Sequence, residues 1–77
     1  MIRLVVLPSE KMTKILKKLG FQLVRQKGSH AFFRHSDGRA TVIPLHGGED
    51  LGKGIIKSIL NDIEVSLEEF EQLRQEV

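Results

Sequence analysis

Three histidines, His30, His35 and His46, are the side chains of this sequence best suited to moving a proton near neutral pH, because an unperturbed imidazole titrates at about 6.5. His30 is distinguished by its neighbours. It follows Gly28-Ser29, with Arg25 and Lys27 before it and Arg34 after it. Cleaving RNA needs a base to take the 2′-hydroxyl proton and cations to hold the phosphate, and this stretch holds both. On residue types alone, catalysis and a plain strand position are both open for His30. His35, beside a turn, and His46, beside glycines, read as solvated or structural residues. The spacing of the three shows no metal-ligand pattern, which argues against a zinc site. Cysteine is absent, so disulfides, thiolate metal sites and thiol catalysis are excluded. No Ser-His-Asp set is legible, and Gly52-Lys53-Gly54 is too short for a Walker or Gly-x-Gly-x-x-Gly loop. No cofactor is implied.

The elements that must position His30 follow from pattern. Asp37-Gly38 signals a two-residue hairpin turn, flanked by Phe, Val, Ile and Thr, which suit a pleated surface. A two-residue turn there predicts Ser36 opposite Arg39, Arg34 opposite Thr41, Phe33 opposite Val42 and Phe32 opposite Ile43. Alternation puts His30, Phe32 and Arg34 on one face and Ala31, Phe33 and His35 on the other. Both sets contain a phenylalanine, so alternation leaves the buried face open. At least one of Phe32 and Phe33 is expected in the core; Phe32 would stack a base if its face were free. Phe21 to Gln26 is an expected first strand, with Lys27-Gly28-Ser29 as a tight connection, so the three strands must be antiparallel. Pro44 ends the third.

Before the strands, Met12, Ile15, Leu16 and Leu19 recur at helical spacing, which predicts a helix over 9–19. Ser9 is its expected N-cap, Gly20 its C-terminal stop, and its outer face is rich in lysine. Residues 45–54 read as a loop on glycine content. Ile55, Ile56, Ile59, Leu60 and Ile63 mark a second amphipathic helix, whose N-terminal amides near Lys53-Gly54 are open to an anion. Ser66-Leu67-Glu68-Glu69 is a capping-box pattern. It opens a third helix with Leu67, Phe70, Leu73 and Val77 on one side. The fold class is therefore α+β, a three-stranded antiparallel sheet with helices on one face.

At 77 residues this is one domain, with a core of about 9–63, an arm over 1–8 and an acidic helix over 66–77. Such a domain buries only about 60% of its unfolded surface, which favours gripping a large ligand over enclosing a small one. The apolar run near Met1 is too short for a signal peptide or membrane span, so a cytoplasmic protein without membrane contact is expected. Residues 1–57 hold eleven Lys/Arg against four Asp/Glu, net +7, whereas residues 58–77 hold one against six, net −5. A basic body with an acidic tail suits a polyanion gripped on one surface; two ordinary solvated faces are the alternative.

From Leu19-Gly20-Phe21 through Val24-Arg25-Gln26-Lys27-Gly28-Ser29-His30, Phe33, His35, Asp37-Gly38-Arg39, Val42-Ile43-Pro44, His46 and Leu51-Gly52-Lys53-Gly54 to Ser58-Ile59-Leu60, the chain resembles the HicA (YcfA-like) toxins of bacterial type II toxin–antitoxin systems. The match covers about 9–63. The resemblance implies a fold similar to the double-stranded RNA-binding domain, α-β-β-β-α. It also implies an mRNA endonuclease that arrests translation, silenced by a HicB-type antitoxin. It further implies that the histidine of the family's Gly-Ser-His motif, here His30, is catalytic, with Gly28 and Ser29 as the loop that places it. Charge and position, rather than a family motif, nominate Arg25, Lys27, Arg34, Arg39, Lys53 and Lys57 as RNA-backbone contacts. The expected enzyme is a metal-independent endoribonuclease acting on mRNA. A non-catalytic RNA-binding module, and more weakly a protein-interaction module using helix 66–77, stand as alternatives.

Overall fold

The computed structural model describes residues 5–45 and 50–77. The expected arm's first four residues and His46 lie outside these. The chain runs β1 (Leu7–Pro8), α1 (Ser9–Lys18), β2 (Gln22–Lys27), β3 (His30–Arg34), β4 (Ala40–Pro44), β5 (Asp50–Leu51), α2 (Lys53–Ile63) and α3 (Leu67–Glu76). Strands β2, β3 and β4 form an antiparallel sheet in that spatial order. The α-β-β-β-α order expected from the sequence is present, with α3 appended.

Helix α1 forms for the reason its spacing indicates: Met12, Ile15 and Leu16 are all fully buried. It ends in a Schellman motif, in which the Gly20 N–H donates to Lys17 O (3.1 Å) and the Phe21 N–H to Leu16 O (2.9 Å). Gly20 sits at φ +100, a region costly for any residue with a Cβ. The expected Ser9 cap is not made. Pro8 is the N-cap, with no side-chain capping bond, and Ser9 is buried as the first helical residue. The reason lies outside the helix: Leu7 and Pro8 pair with Leu51 and Asp50, so the extended chain enters the helix directly. The same pairing corrects the reading of 45–54 as loop throughout.

The β3–β4 register differs by one residue from the expected one. Arg34 faces Ala40, Phe33 faces Thr41, Phe32 faces Val42, and Ala31 faces Ile43. Three residues, Ser36 to Gly38, form the loop, closed by His35 N–H donating to Arg39 O at 2.8 Å. Asp37 avoids positive φ, which Gly38 alone supplies at +102, as in a three-residue hairpin. Two effects select this register. Asp37 Oδ1 accepts the Arg39 N–H at 3.0 Å, a local bond that Asp favours in turns. The alternative register would also turn Ile43 outward, whereas here it is fully buried with Ala31 and Phe33.

Helices α1 and α2 cover that inner face. Thr41 Oγ1, on the inner face of β4, donates to Asp62 of α2 at 3.0 Å, and Ile56, Ile59, Leu60 and Ile63 complete the core. Helix α3 begins at the expected cap, Ser66 accepting the Glu69 N–H at 3.2 Å. It buries Phe70 and Leu73 and places Glu76 2.6 Å from Lys18 of α1. Two assigned core residues lie outside the core: Ile55 and Leu67 are 39% and 42% exposed, each one step off its helix's buried stripe. Strand β2 is exposed along its whole length, an overhanging edge that alternation does not predict. Among the described residues no helix is long and apolar enough to cross a membrane.

Helix α2 ends at Glu64, which takes φ +58 where glycine is usual. A Cβ there costs about 1 kcal/mol. Glu64→Gly is expected to raise stability by roughly 0.5–1 kcal/mol, less than the full strain because glycine loosens the unfolded chain. Urea unfolding would show a higher midpoint with unchanged slope; a lower midpoint would refute the strain.

Candidate nucleic-acid interface

The turn between β2 and β3 sets the geometry of the site. Lys27, expected in the connection, is instead the last residue of β2 and pairs with His30, so only Gly28 and Ser29 are turn residues. Gly28 takes φ +58 and Ser29 does not take positive φ, the sign pattern of a type II′ turn. Both are exposed, as is His30. A two-residue turn fixes parity: His30 begins β3 on the face away from the helices, and the next residue, Ala31, is buried.

Residues opposite one another share a face, so the register defines the outer surface. On it stand Gln22, Arg34 and Ala40 in one row, Arg25, Phe32 and Val42 in the next, and Lys27, His30 and Pro44 in the last. Three cations and the histidine therefore line one wet sheet face, and no carboxylate stands in these three rows. Directly opposed residues bring Cβ atoms to about 5 Å, so Lys27 is the nearest cation to His30 across the ladder. The Arg25 guanidinium lies 5.9 Å from the centre of the Phe32 ring, a cation–π contact that holds it over the face. Among the described residues, Arg25, Lys27, His30 and Arg34 make no ion pair or side-chain hydrogen bond with any other. Their donors face solvent.

The other nominated residues are not brought there. Lys53 and Lys57 are exposed one turn apart on α2, in the helix layer behind the sheet. Arg39 is committed elsewhere: Nε donates to Asp37 Oδ2 at 2.8 Å, Nη1 donates to the Ile63 carbonyl, and its guanidinium lies 5.2 Å from the Phe21 ring centre. It ties the hairpin turn to the end of α2.

His35 does matching work at the end of α1. Its Nε2 donates to the Leu19 carbonyl at 3.2 Å, and its Nδ1 lies 3.1 Å from both the Asp37 N–H and Asp37 Oδ1. The ring meets Phe21 edge-on at 5.1 Å. A Cβ on Gly20 would approach Nε2 to 3.0 Å, so Gly20 serves both backbone and contact. His35 is thus a structural residue, as its place beside the turn indicates. Sequence reasoning missed that Arg39 shares this role; the signal available was its spacing of two from Asp37, the geometry of a turn-closing pair.

The Arg39 N–H first, and then its guanidinium, hold the Asp37 carboxyl below its ordinary pKa. A folded pKa lowered in this way stabilises the protein above the unfolded value and is lost as pH falls through the folded one. Asp37→Asn is therefore expected to unfold more readily than the wild type at pH 7. Thermal unfolding of the two should converge in acid, and a difference that persisted undiminished at low pH would refute the assignment.

The family model described as the HicA toxin of bacterial toxin–antitoxin systems matches residues 9–65. A Pseudomonas fluorescens (strain Pf0-1) protein named "Probable mRNA interferase HicA" is 40% identical over 48 residues, which is 62% of this chain and 78% of that protein. The matched span contains β2, β3, β4 and both helices that back them.

Proposed function

The chain belongs to the HicA family of bacterial toxins, and from that premise we propose that it is a metal-independent endoribonuclease that cleaves mRNA on the outer face of its sheet. The observation that carries this reading is the placement of exposed His30 in one row with Lys27, flanked by Arg25 and Arg34, with no carboxylate among them. The relative's name, mRNA interferase, supports the substrate class.

In the proposed reaction His30 accepts the 2′-hydroxyl proton through a ring nitrogen. The 2′-oxygen attacks the adjacent phosphorus as the bond to the 5′-oxygen breaks. The products are a 2′,3′-cyclic phosphate and a 5′-hydroxyl, the latter protonated by Lys27 or water. Negative charge on the phosphoryl oxygens grows toward the transition state, and cations already fixed on a sheet stabilise it without reorganising. Lys27 is the nearest; Arg25 and Arg34 hold the flanking phosphates. A face of three cations also disfavours a divalent metal, which supports chemistry by proton transfer alone. The partner consistent with a toxin of this kind is a HicB-type antitoxin, whose binding would cover the cationic face and so require acidic complement. The non-catalytic RNA-binding module makes the opposite forecast, RNA bound and left intact.

Purified protein incubated with labelled mRNA in excess EDTA is expected to cleave it. Removing one positioned general base typically costs 10²–10⁴-fold, so His30→Ala should lose about that much rate. Its thermal unfolding and its RNA affinity should stay near the wild type's. Cleavage by His30→Ala at the wild-type rate would refute His30 as the base. Intact RNA with both proteins, alongside a shifted band on a native gel, would establish the binding module instead.

A further inference from the structure

Beyond His30 the outer face is not flat. Strand β2 carries a bulge: Leu23 faces Phe33 and Arg25 faces Phe32, leaving Val24 unpaired between them. Bulges re-aim side chains, often beside functional sites, and Val24 is 59% exposed. Next to it lies a cleft of about 310 Å³ lined by Val24, Phe32, Arg34, Ala40 and Val42 and also by Phe33, Thr41 and Asp62 of α2.

We propose that this cleft holds one unpaired nucleobase of the RNA, next along the strand from the phosphate engaged by His30 and Lys27; the inference rests on the RNA-cleaving reading above. Position supports it first. Phe32 is two residues beyond His30 on the same face, about 7 Å along β3, within the reach of one nucleotide.

The lining chemistry then selects the occupant. Phe32, Val24, Val42 and Ala40 give an apolar floor for a flat ring. Asp62, whose carboxylate accepts the Thr41 hydroxyl at 3.0 Å on the helix side of β4, is the one carboxylate among the lining residues, and its charge disfavours a phosphate there more than a neutral base. Arg34 at the rim takes the phosphate that follows. The Arg25 guanidinium lies 5.9 Å from the Phe32 ring centre and does not line the cleft. Bases inside an A-form duplex have both faces stacked and cannot enter. The site therefore takes single-stranded RNA, as aromatic platforms on sheets do.

The test uses the His30→Ala chain, so that RNA stays intact, and a single-stranded oligonucleotide with an abasic residue moved one position at a time. One position, adjacent to the wild-type cleavage site, should lower affinity by about 10-fold or more, the loss that base–aromatic stacking implies. Phe32→Leu in the same background, with thermal unfolding checked, should weaken intact RNA by a similar factor and remove the abasic effect. Duplex RNA of the same sequence should bind more weakly than the single strand. Equal affinity for every abasic oligonucleotide, an abasic penalty unchanged by Phe32→Leu, or duplex bound as tightly as the single strand would each overturn the subsite. A His30→Ala chain that still cut the RNA would instead overturn the histidine mechanism, with the abasic penalty still readable from binding at short times. No RNA binding at all would overturn both.

Discussion

The parity of β3 is the constraint on which the rest depends. A strand alternates its side chains strictly, so a single slipped residue exchanges the buried and wet faces. The Gly28-Ser29 turn starts β3 with His30 outward, and Ala31 and Phe33 then fall inward to meet α1 and α2. The same step that builds the core delivers Lys27, Arg25 and Arg34 to the solvent side with His30. Core and site are two faces of one register, and neither can move without the other.

Two structural residues guard that register at the opposite end of the hairpin. His35 holds the end of α1 through the Leu19 carbonyl, and Arg39 holds the end of α2 through the Ile63 carbonyl. Both also bond Asp37, and both rest on Phe21. A chain this small without disulfides depends on such ties, because each satisfies a helix-end carbonyl that would otherwise lose its partner. Charge is divided along similar lines. The acidic α3 lies against lysine-rich α1, with Glu76 on Lys18, while the cations of the outer sheet face keep no described acidic partner.

Much of this was legible in the residues. The helical stripe of α1, the Gly20 stop, the Ser66 cap and the three antiparallel strands all follow from local periodicity and turn chemistry, which act over a few residues. His30, Lys27, Arg25 and Arg34 were legible as a basic cluster by charge and position, but their shared face was not, because it depends on Lys27 belonging to β2 and pairing with His30. What else was not legible involves distant partners. Ser9 lost its capping role to a β1–β5 pairing more than forty residues apart in sequence. The Asp37-Gly38 signal gave the turn but not its length, which Ile43 decides by being buried. Arg39 counts as a cation in the sequence, and only the fold shows it spent on Ile63 and Phe21.

The central claim is that an RNA 2′-hydroxyl, deprotonated on the outer sheet face, is the attacking group. Its most direct test replaces that one hydroxyl with hydrogen at the cleaved nucleotide and leaves the rest of the RNA unchanged. The account predicts that the substituted RNA still binds but is not cut there, while the unmodified RNA yields a 2′,3′-cyclic phosphate end. Cleavage at the 2′-deoxy position would contradict it, since water would then be the attacking group and His30 would need another role.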